Sequence, residues 1–275
     1  MLGLLFGIII GFSLGLTGGG GSIFAVPLLV YGMQVPVHQA VGISLAAVAA
    51  TATFGAINRI INAETELRIG LLFGASGILG APAGTWIGAR LPEMVLLGGF
   101  ALLMLVVAVR MWRQAGRHPD QAQVVRAGNE PDGAEDEPVC RQDPDSGRMR
   151  LTSHCTLVLL SAGFITGLLS GLFGVGGGFI IVPALLLVAS LPIRRSVATS
   201  LLVIAIVSAA GVVSHALAGQ HFDWSLTGLF VMGGLVGISL GNRLSRRLAG
   251  PVLQRIFAVT MIALAIFILV RDVLL

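Results

Sequence analysis

Two glycine runs, Gly18-Gly19-Gly20-Gly21 and Gly174-Val175-Gly176-Gly177-Gly178, interrupt long apolar stretches and occupy matching places in a repeat. Residues 11–45 shifted by 156 fall on 167–201 without a gap, and 13 of the 35 positions are identical. Composition alone gives on the order of three matches in so biased a chain. After one added residue the register continues, placing Gly77, Gly80, Gly84 and Arg90 on Gly234, Gly237, Gly241 and Arg247. The chain is therefore one fused duplication, not two different domains.

Composition sets the solvent. Of 275 residues, 55% are hydrophobic and 11% are charged, against roughly 25% charged in an ordinary soluble domain. Too little polar surface exists to cover a core of this size in water. The 38 glycines carry no collagen period. What remains is a polytopic helical membrane protein. The net charge of +4 comes from 17 arginines and no lysine. No basic face is interleaved with aromatics, so nucleic acid is not an expected partner. Two cysteines are too few for a disulfide framework or a cysteine metal site. The start, Met1-Leu2-Gly3-Leu4-Leu5-Phe6, lacks a basic region and reads as membrane-embedded structure, not a cleaved signal.

Each half holds four hydrophobic segments: 2–33, 38–57, 69–88 and 93–111, then 152–191, 196–217, 225–242 and 251–271. Between the halves, residues 112–150 carry eight of the 13 acidic residues and four prolines. The expected organisation is a first transmembrane repeat at 1–111, a charged disordered linker at 112–150 and a second repeat at 151–275. The first segment of each half is overlong and broken by glycine. If it crosses once, the arginines divide ten to seven across the membrane. If it turns back as a re-entrant hairpin, three crossings per half remain and the halves are inverted. The arginines then divide fifteen to two, with only Arg90 and Arg271 opposite. The positive-inside rule prefers the second arrangement. The expected fold is all-α: two inverted repeats, each a glycine-broken re-entrant helix pair plus three spanning helices, with a cytoplasmic linker.

Irregular backbone at membrane depth is tolerated where it is buried or lines a wet cavity. Matching interruptions in two repeats point to a transport site. Helices restarting near Ser22–Met33 and Gly178–Ser190 would direct unpaired N–H groups and partial positive charge into each break. Glycine lets a ligand approach the backbone, so an anion can be held without lysine or arginine. The candidate substrate-binding residues are Thr17, Gly18, Gly20, Gly21, Ser22, Ser44, Gly174, Gly176, Gly177, Gly178, Thr199 and Ser200. Ser44 and Ser200 could instead bond within their own helices. Gly77, Gly80, Gly84, Gly234, Gly237 and Gly241 fit close helix packing. Other polar residues in the apolar zone are few, and Thr51, Thr53, Asn58, Ser208, Ser214 and His215 lie on the second spanning helix of each half. His215 reads as interfacial, with proton carriage as the alternative. No carboxylate is embedded, and neither a Gly-x-Ser-x-Gly with His and Asp nor an embedded His/Glu metal cluster is present. No catalytic residue, metal or cofactor is expected.

The run Gly15-Leu16-Thr17-Gly18-Gly19-Gly20-Gly21-Ser22 with Val26-Pro27, repeated as Gly171-Leu172-Phe173-Gly174-Val175-Gly176-Gly177-Gly178 with Val182-Pro183, resembles the sulfite exporter TauE/SafE family. Pro36…Ala40…Ser44-Leu45 and Pro192…Thr199-Ser200-Leu201 fit the same pattern. The resemblance covers both hydrophobic halves. It implies a permease of the cell inner membrane that moves sulfite, sulfonates or related organosulfur anions. One charge across 100 mV is worth about 2.3 kcal/mol, which favours anion export without a coupling ion. An anion channel of the same architecture and an accessory subunit without transport are the alternatives. The expected partners are a small anion, the lipid bilayer and, as an option, further copies of the chain.

Overall fold

The computed structural model describes residues 2–117, 141–142, 149–150, 153–178, 181–182, 185, 193–219, 223–245 and 250–273. The first half holds α1 (Leu2–Thr17), a 3-10 turn (Gly20–Phe24), α2 (Ala25–Met33), α3 (Val37–Ile61), α4 (Leu67–Gly88) and α5 (Glu93–Arg117). The second holds α6 (Ser153–Phe173), α7 (Ile193–Leu217), α8 (Trp224–Ser245) and α9 (Gly250–Ile268), which runs on into a π turn, Leu269–Val273. The bounds of α3 plus 156 are those of α7, and the bounds of α4 plus 157 are those of α8. The repeat seen in the residues is thus a repeat of elements, shifted by the same one-residue insertion.

Punctuation explains the helix limits. Pro36 has no N–H and stands as the N-cap of α3. Asp223 begins α8, its Oδ1 accepting the N–H groups of Ser225 and Leu226 at 3.0 Å each, the usual use of a short acidic side chain before a helix.

Glycine contacts give the helix directions. A Cβ built on Gly7, Gly11 or Gly15 would strike the carbonyl oxygen of Phe230, Gly234 or Ile238 within 2.8 Å, so α1 and α8 run the same way. Gly80 and Gly84 meet Phe164 and Leu168 in the same rising order, making α4 and α6 parallel. Gly234 meets Thr51 while Gly55 meets Ile238, so α3 parallels α8 and therefore α1. Gly55 also meets Leu201 while Gly211 meets Leu45, so α3 and α7 are antiparallel. Between α1 and α3 the chain must turn back. It does: Gly21 lies on Ser13 and Leu14, and Gly32 lies on Phe6. α1, the break and α2 form a helical hairpin. α4 also parallels α7, with Gly70 at Leu202 and Gly74 at Ile206, so α7 begins at the end where α6 began.

The closest helix seams are built from small residues, although large side chains such as Phe73, Phe100 and Phe230 are also buried. Along α4, Gly70, Gly74, Gly77, Gly80 and Gly84 are buried, whereas Leu71, Ile78, Leu79 and Trp86 are exposed. Lipid is as apolar as leucine, so burying leucine gains little there, and close backbone approach drives packing instead. The glycines read as packing residues do this work at the α1–α8 and α4–α6 seams. Trp86, Trp112 and Trp224 are exposed, as interfacial anchors should be.

Several expectations change. The segment after the first break begins as a 3-10 turn at Gly20 and becomes α-helical only at Ala25, because glycine holds an α-helical turn poorly. The corresponding stretch 178–190 lies mostly outside the described residues. Five described helices are long and apolar enough to cross a membrane: α3, α4, α6, α8 and, from Arg195, α7. α6 is among them at 21 residues, whereas α1 has 16. In α5 and around α9 the apolar lengths are shorter, Glu93–Val109 and Ala258–Arg271. The stretch 112–150 is mainly outside the described residues. Within it α5 continues to Arg117, and Arg141–Gln142 pairs antiparallel with Met149–Arg150. Cys155 is disulfide-bonded, a single bridge where two cysteines had suggested no framework. His215 is buried among its neighbours, at 4% exposure, in the last turn of α7.

Candidate functional site

Each broken helix ends on a left-handed glycine. Gly18 has φ +73° and closes α1, and Gly174 has φ +71° and closes α6. This is the common way to stop a helix, and it favours a residue without Cβ. Each of these glycines is then clasped by the other half. A Cβ on Gly18 would lie 2.5 Å from Cγ1 of Val197, and one on Gly174 would lie 2.7 Å from Cα of Val41. Ser200 Oγ donates to the Gly18 carbonyl at 2.6 Å. Ser44 Oγ donates to the Gly174 carbonyl at 2.6 Å. Val41 and Val197, like Ser44 and Ser200, are 156 apart, so the two clasps are equivalent. The breaks also touch: a Cβ on Gly178 would lie 2.5 Å from Cα of Gly19.

The second break reaches the centre of the bundle. Gly176 packs against Val48 of α3 and against Ile204 and Ser208 of α7, within one turn of the midpoints of those two 25-residue helices. Gly176 and Gly177 have φ of +66° and +68°. Gly177 rests on Thr166 and Ser170 of its own α6.

The remaining candidates divide. Thr17 Oγ1 donates to the Ser13 carbonyl at 2.8 Å, and Ser22 Oγ donates to the Gly19 carbonyl at 2.8 Å. Gly20 opens the 3-10 turn, and Gly21 is pressed against α1. Thr199 faces elsewhere: its Oγ1 accepts the N–H of Glu66 at 3.0 Å, at the start of α4. Ser200 additionally donates to its own helix at Val197. The structure therefore gathers Gly18, Gly174, Gly176, Gly178, Ser44 and Ser200 around the break-to-break contact, and Thr199 serves a helix end.

Two further hydroxyls lie beside the second break. Ser170 and Ser208 are buried, and neither Oγ has a hydrogen-bond partner among the described residues. Ser208 was visible as one of few polar residues on its helix; Ser170, four residues before Gly174, gave no signal in periodicity.

Among the described residues, the side chains nearest the break glycines are valine, isoleucine, serine and threonine. Arg59 pairs with Glu64 at 3.1 Å and reaches Asn242 at 3.3 Å. Arg195 pairs with Glu66 at the same end of the bundle, where α3 ends and α7 begins. Arg271 lies over the Tyr31 ring at the other end, 5.1 Å from its centroid. Among the described residues no three metal-ligating side chains come together.

Long apolar helices, small-residue seams and two buried backbone breaks define a multi-pass helical membrane protein of the transporter class. The chain belongs to the sulfite exporter TauE/SafE family, whose model matches residues 3–268. It is 34% identical over 272 residues to a "Probable membrane transporter protein" of Xylella fastidiosa (strain 9a5c), covering 96% of this chain and 92% of that one. It is 26% identical over 273 residues to "Probable membrane transporter protein YunE" of Bacillus subtilis (strain 168), covering 94% and 93%. No solved structure matches the chain.

Proposed function

We propose that this membrane transporter is a secondary carrier that exports small sulfur-containing anions across the cell inner membrane. The observation that carries this reading is the meeting of two glycine breaks, each clasped by a serine and a valine of the opposite half. Backbone and hydroxyl groups are the polar functions there, and neutral donors suit a small oxyanion. The binding site in this reading is Gly18, Gly174, Gly176, Gly178, Ser44 and Ser200, with Thr17, Gly20, Gly21, Ser22 and Gly177 beside them and Thr199 set apart at the start of α4. The halves act as inverted repeats, with each broken segment re-entering the membrane from its own side. The opposite directions of α3 and α7, and the reversal at the first break, support this.

The same geometry suggests how flux is gated. Ser44 and Ser200 tie each break to the other half, so parting one tie opens one side while the other still holds. Alternating access then needs only a rocking of one half on the other. A cytoplasm at −100 mV favours outward movement of each negative charge by about 2.3 kcal/mol.

The test is flux of labelled sulfite in proteoliposomes, with and without an imposed potential. Saturable, potential-driven export is expected. Flux that rises linearly with concentration would replace the carrier by a channel, and no flux of any sulfur anion would remove the transport of this class.

The sidedness has two readings. The arginine distribution favours a cytoplasmic 112–150 linker. The disulfide at Cys155 favours the opposite, since the cytosol keeps thiols reduced. An Asn62→Cys probe in a cysteine-free background decides: protection from an impermeant thiol reagent outside intact cells is expected, and labelling overturns it.

A further inference from the structure

The two breaks are related by sequence but differ in what surrounds them. At the first, a Cβ on Gly21 would lie 2.4 Å from the backbone nitrogen of Leu14. At the second, a Cβ on Gly177 would lie 2.5 Å from the Thr166 side chain and 3.2 Å from the nearest backbone atom, the Thr166 carbonyl oxygen, so the two backbones stand further apart there. One glycine of the first run has a left-handed φ, Gly18, against three of the second, Gly174, Gly176 and Gly177. Positive values at Gly174 and Gly176 flank Val175, which has none; alternation of this kind turns successive N–H groups toward one point.

The hydroxyls repeat the asymmetry. Ser170 and Ser208 are 0% exposed, and neither Oγ has a partner among the described residues. Other buried hydroxyls, such as those of Ser44, Thr51, Thr85 and Thr166, each donate to a carbonyl. Ser208 Oγ is 2.9 Å from where a Cβ of Gly176 would stand, and Ser170 Cβ is 3.7 Å from that of Gly177. In the first half the corresponding residues, 156 earlier, are Leu14 and Ala52. The duplicated chain has kept two breaks and placed unpaired donors at one.

We propose that the chain holds a single oxyanion site, at the second break, in which Ser170 and Ser208 donate to the ligand above the Gly176–Gly177 backbone. This rests on the anion-transport reading above. Leaving a buried hydroxyl unpaired costs stability, and an anion bound there removes that cost. The conformation described is closed, with Val48 also packed on Gly176, so the ligand reaches the hydroxyls as the Gly19–Gly178 contact parts. The donors are all neutral. Desolvation rises with the square of the charge, roughly fourfold from monoanion to dianion, so the site takes singly charged oxyanions such as hydrogensulfite or a sulfonate.

The test uses the full chain in proteoliposomes at pH 6 with labelled sulfite, methanesulfonate and sulfate, for wild type, Ser170→Ala, Ser208→Ala and Ser208→Thr. The half-saturating concentration should rise about tenfold in each alanine variant, as loss of a hydrogen bond to a charged group predicts. Ser208→Thr should stay near wild type. The ligand-free melting temperature of both alanine variants should hold or rise, because an unpaired hydroxyl has been removed. Unchanged half-saturation, or a lowered melting temperature, makes the serines structural and overturns the site. Sulfate moved as well as the monoanions overturns the charge selection. A wild type that moves none of the three overturns the transport reading itself.

Discussion

At the residue scale, the function of a glycine here depends on what stands where its Cβ would be. Gly176 has φ +66°, and a Cβ would meet Val48 at 2.7 Å and Ser208 Oγ at 2.9 Å. Gly176→Val should abolish sulfite flux in proteoliposomes while the purified protein still elutes as a folded species; unchanged flux would remove the backbone from the site. Ser44 and Ser200 make equivalent bonds of 2.6 Å to the opposite break. Ser44→Ala leaves a buried carbonyl unpaired, which costs about 1–3 kcal/mol. Ser200→Ala should cost the same, and unequal losses on chemical denaturation would break the equivalence of the two clasps. The identity of these serines as repeat partners was legible from a shift of 156. Their partners were not, because a hydroxyl on a helix can bond its own carbonyls as readily as a neighbour's, and only the packing of the halves chooses.

At the element scale, the seams and the lipid-facing surfaces make opposite demands. A Cβ on Gly84 would lie 2.0 Å from the Leu168 carbonyl oxygen. Gly84→Leu should force α4 from α6 and cost about 3 kcal/mol or more, seen as loss of monodisperse protein in detergent. Gly228, on α8, has nothing within 4 Å of the added atom. Gly228→Ala should therefore gain up to about 1 kcal/mol from helix propensity, and a lower melting temperature would show a contact the bundle hides. Glycines spaced at three and four along α4 and α8 foretold close packing, and the seams bear that out. The partner helix was not foretold, since periodicity marks a face without naming what covers it. The 3-10 turn after the first break was missed for a local reason: four glycines define no backbone conformation by themselves.

At the scale of the whole molecule, duplication produces a bundle whose halves exchange contacts. α1 packs on α8 as α6 packs on α4, and α3 lies against α7. The inverted-carrier proposal treats the stretch between the halves as a tether. Deleting residues 120–147 should then leave sulfite flux intact, and complete loss would give that stretch a role in transport. Arg59 and Arg195 lie at one end of the bundle and Arg271 at the other.

Composition and repetition by themselves determined the solvent, the helical class, the twofold organisation and the place of the backbone breaks. These depend on the amount and spacing of apolar residues and glycine, which no folding can alter. The tertiary structure decided which half clasps which break, that α1 and α2 turn back on one another, and that Ser170 and Ser208 lie beside the second break without a hydrogen-bond partner among the described residues. Such facts depend on direction and distance between segments far apart in the chain, and two nearly equal repeats hold the same local information while meeting different neighbours.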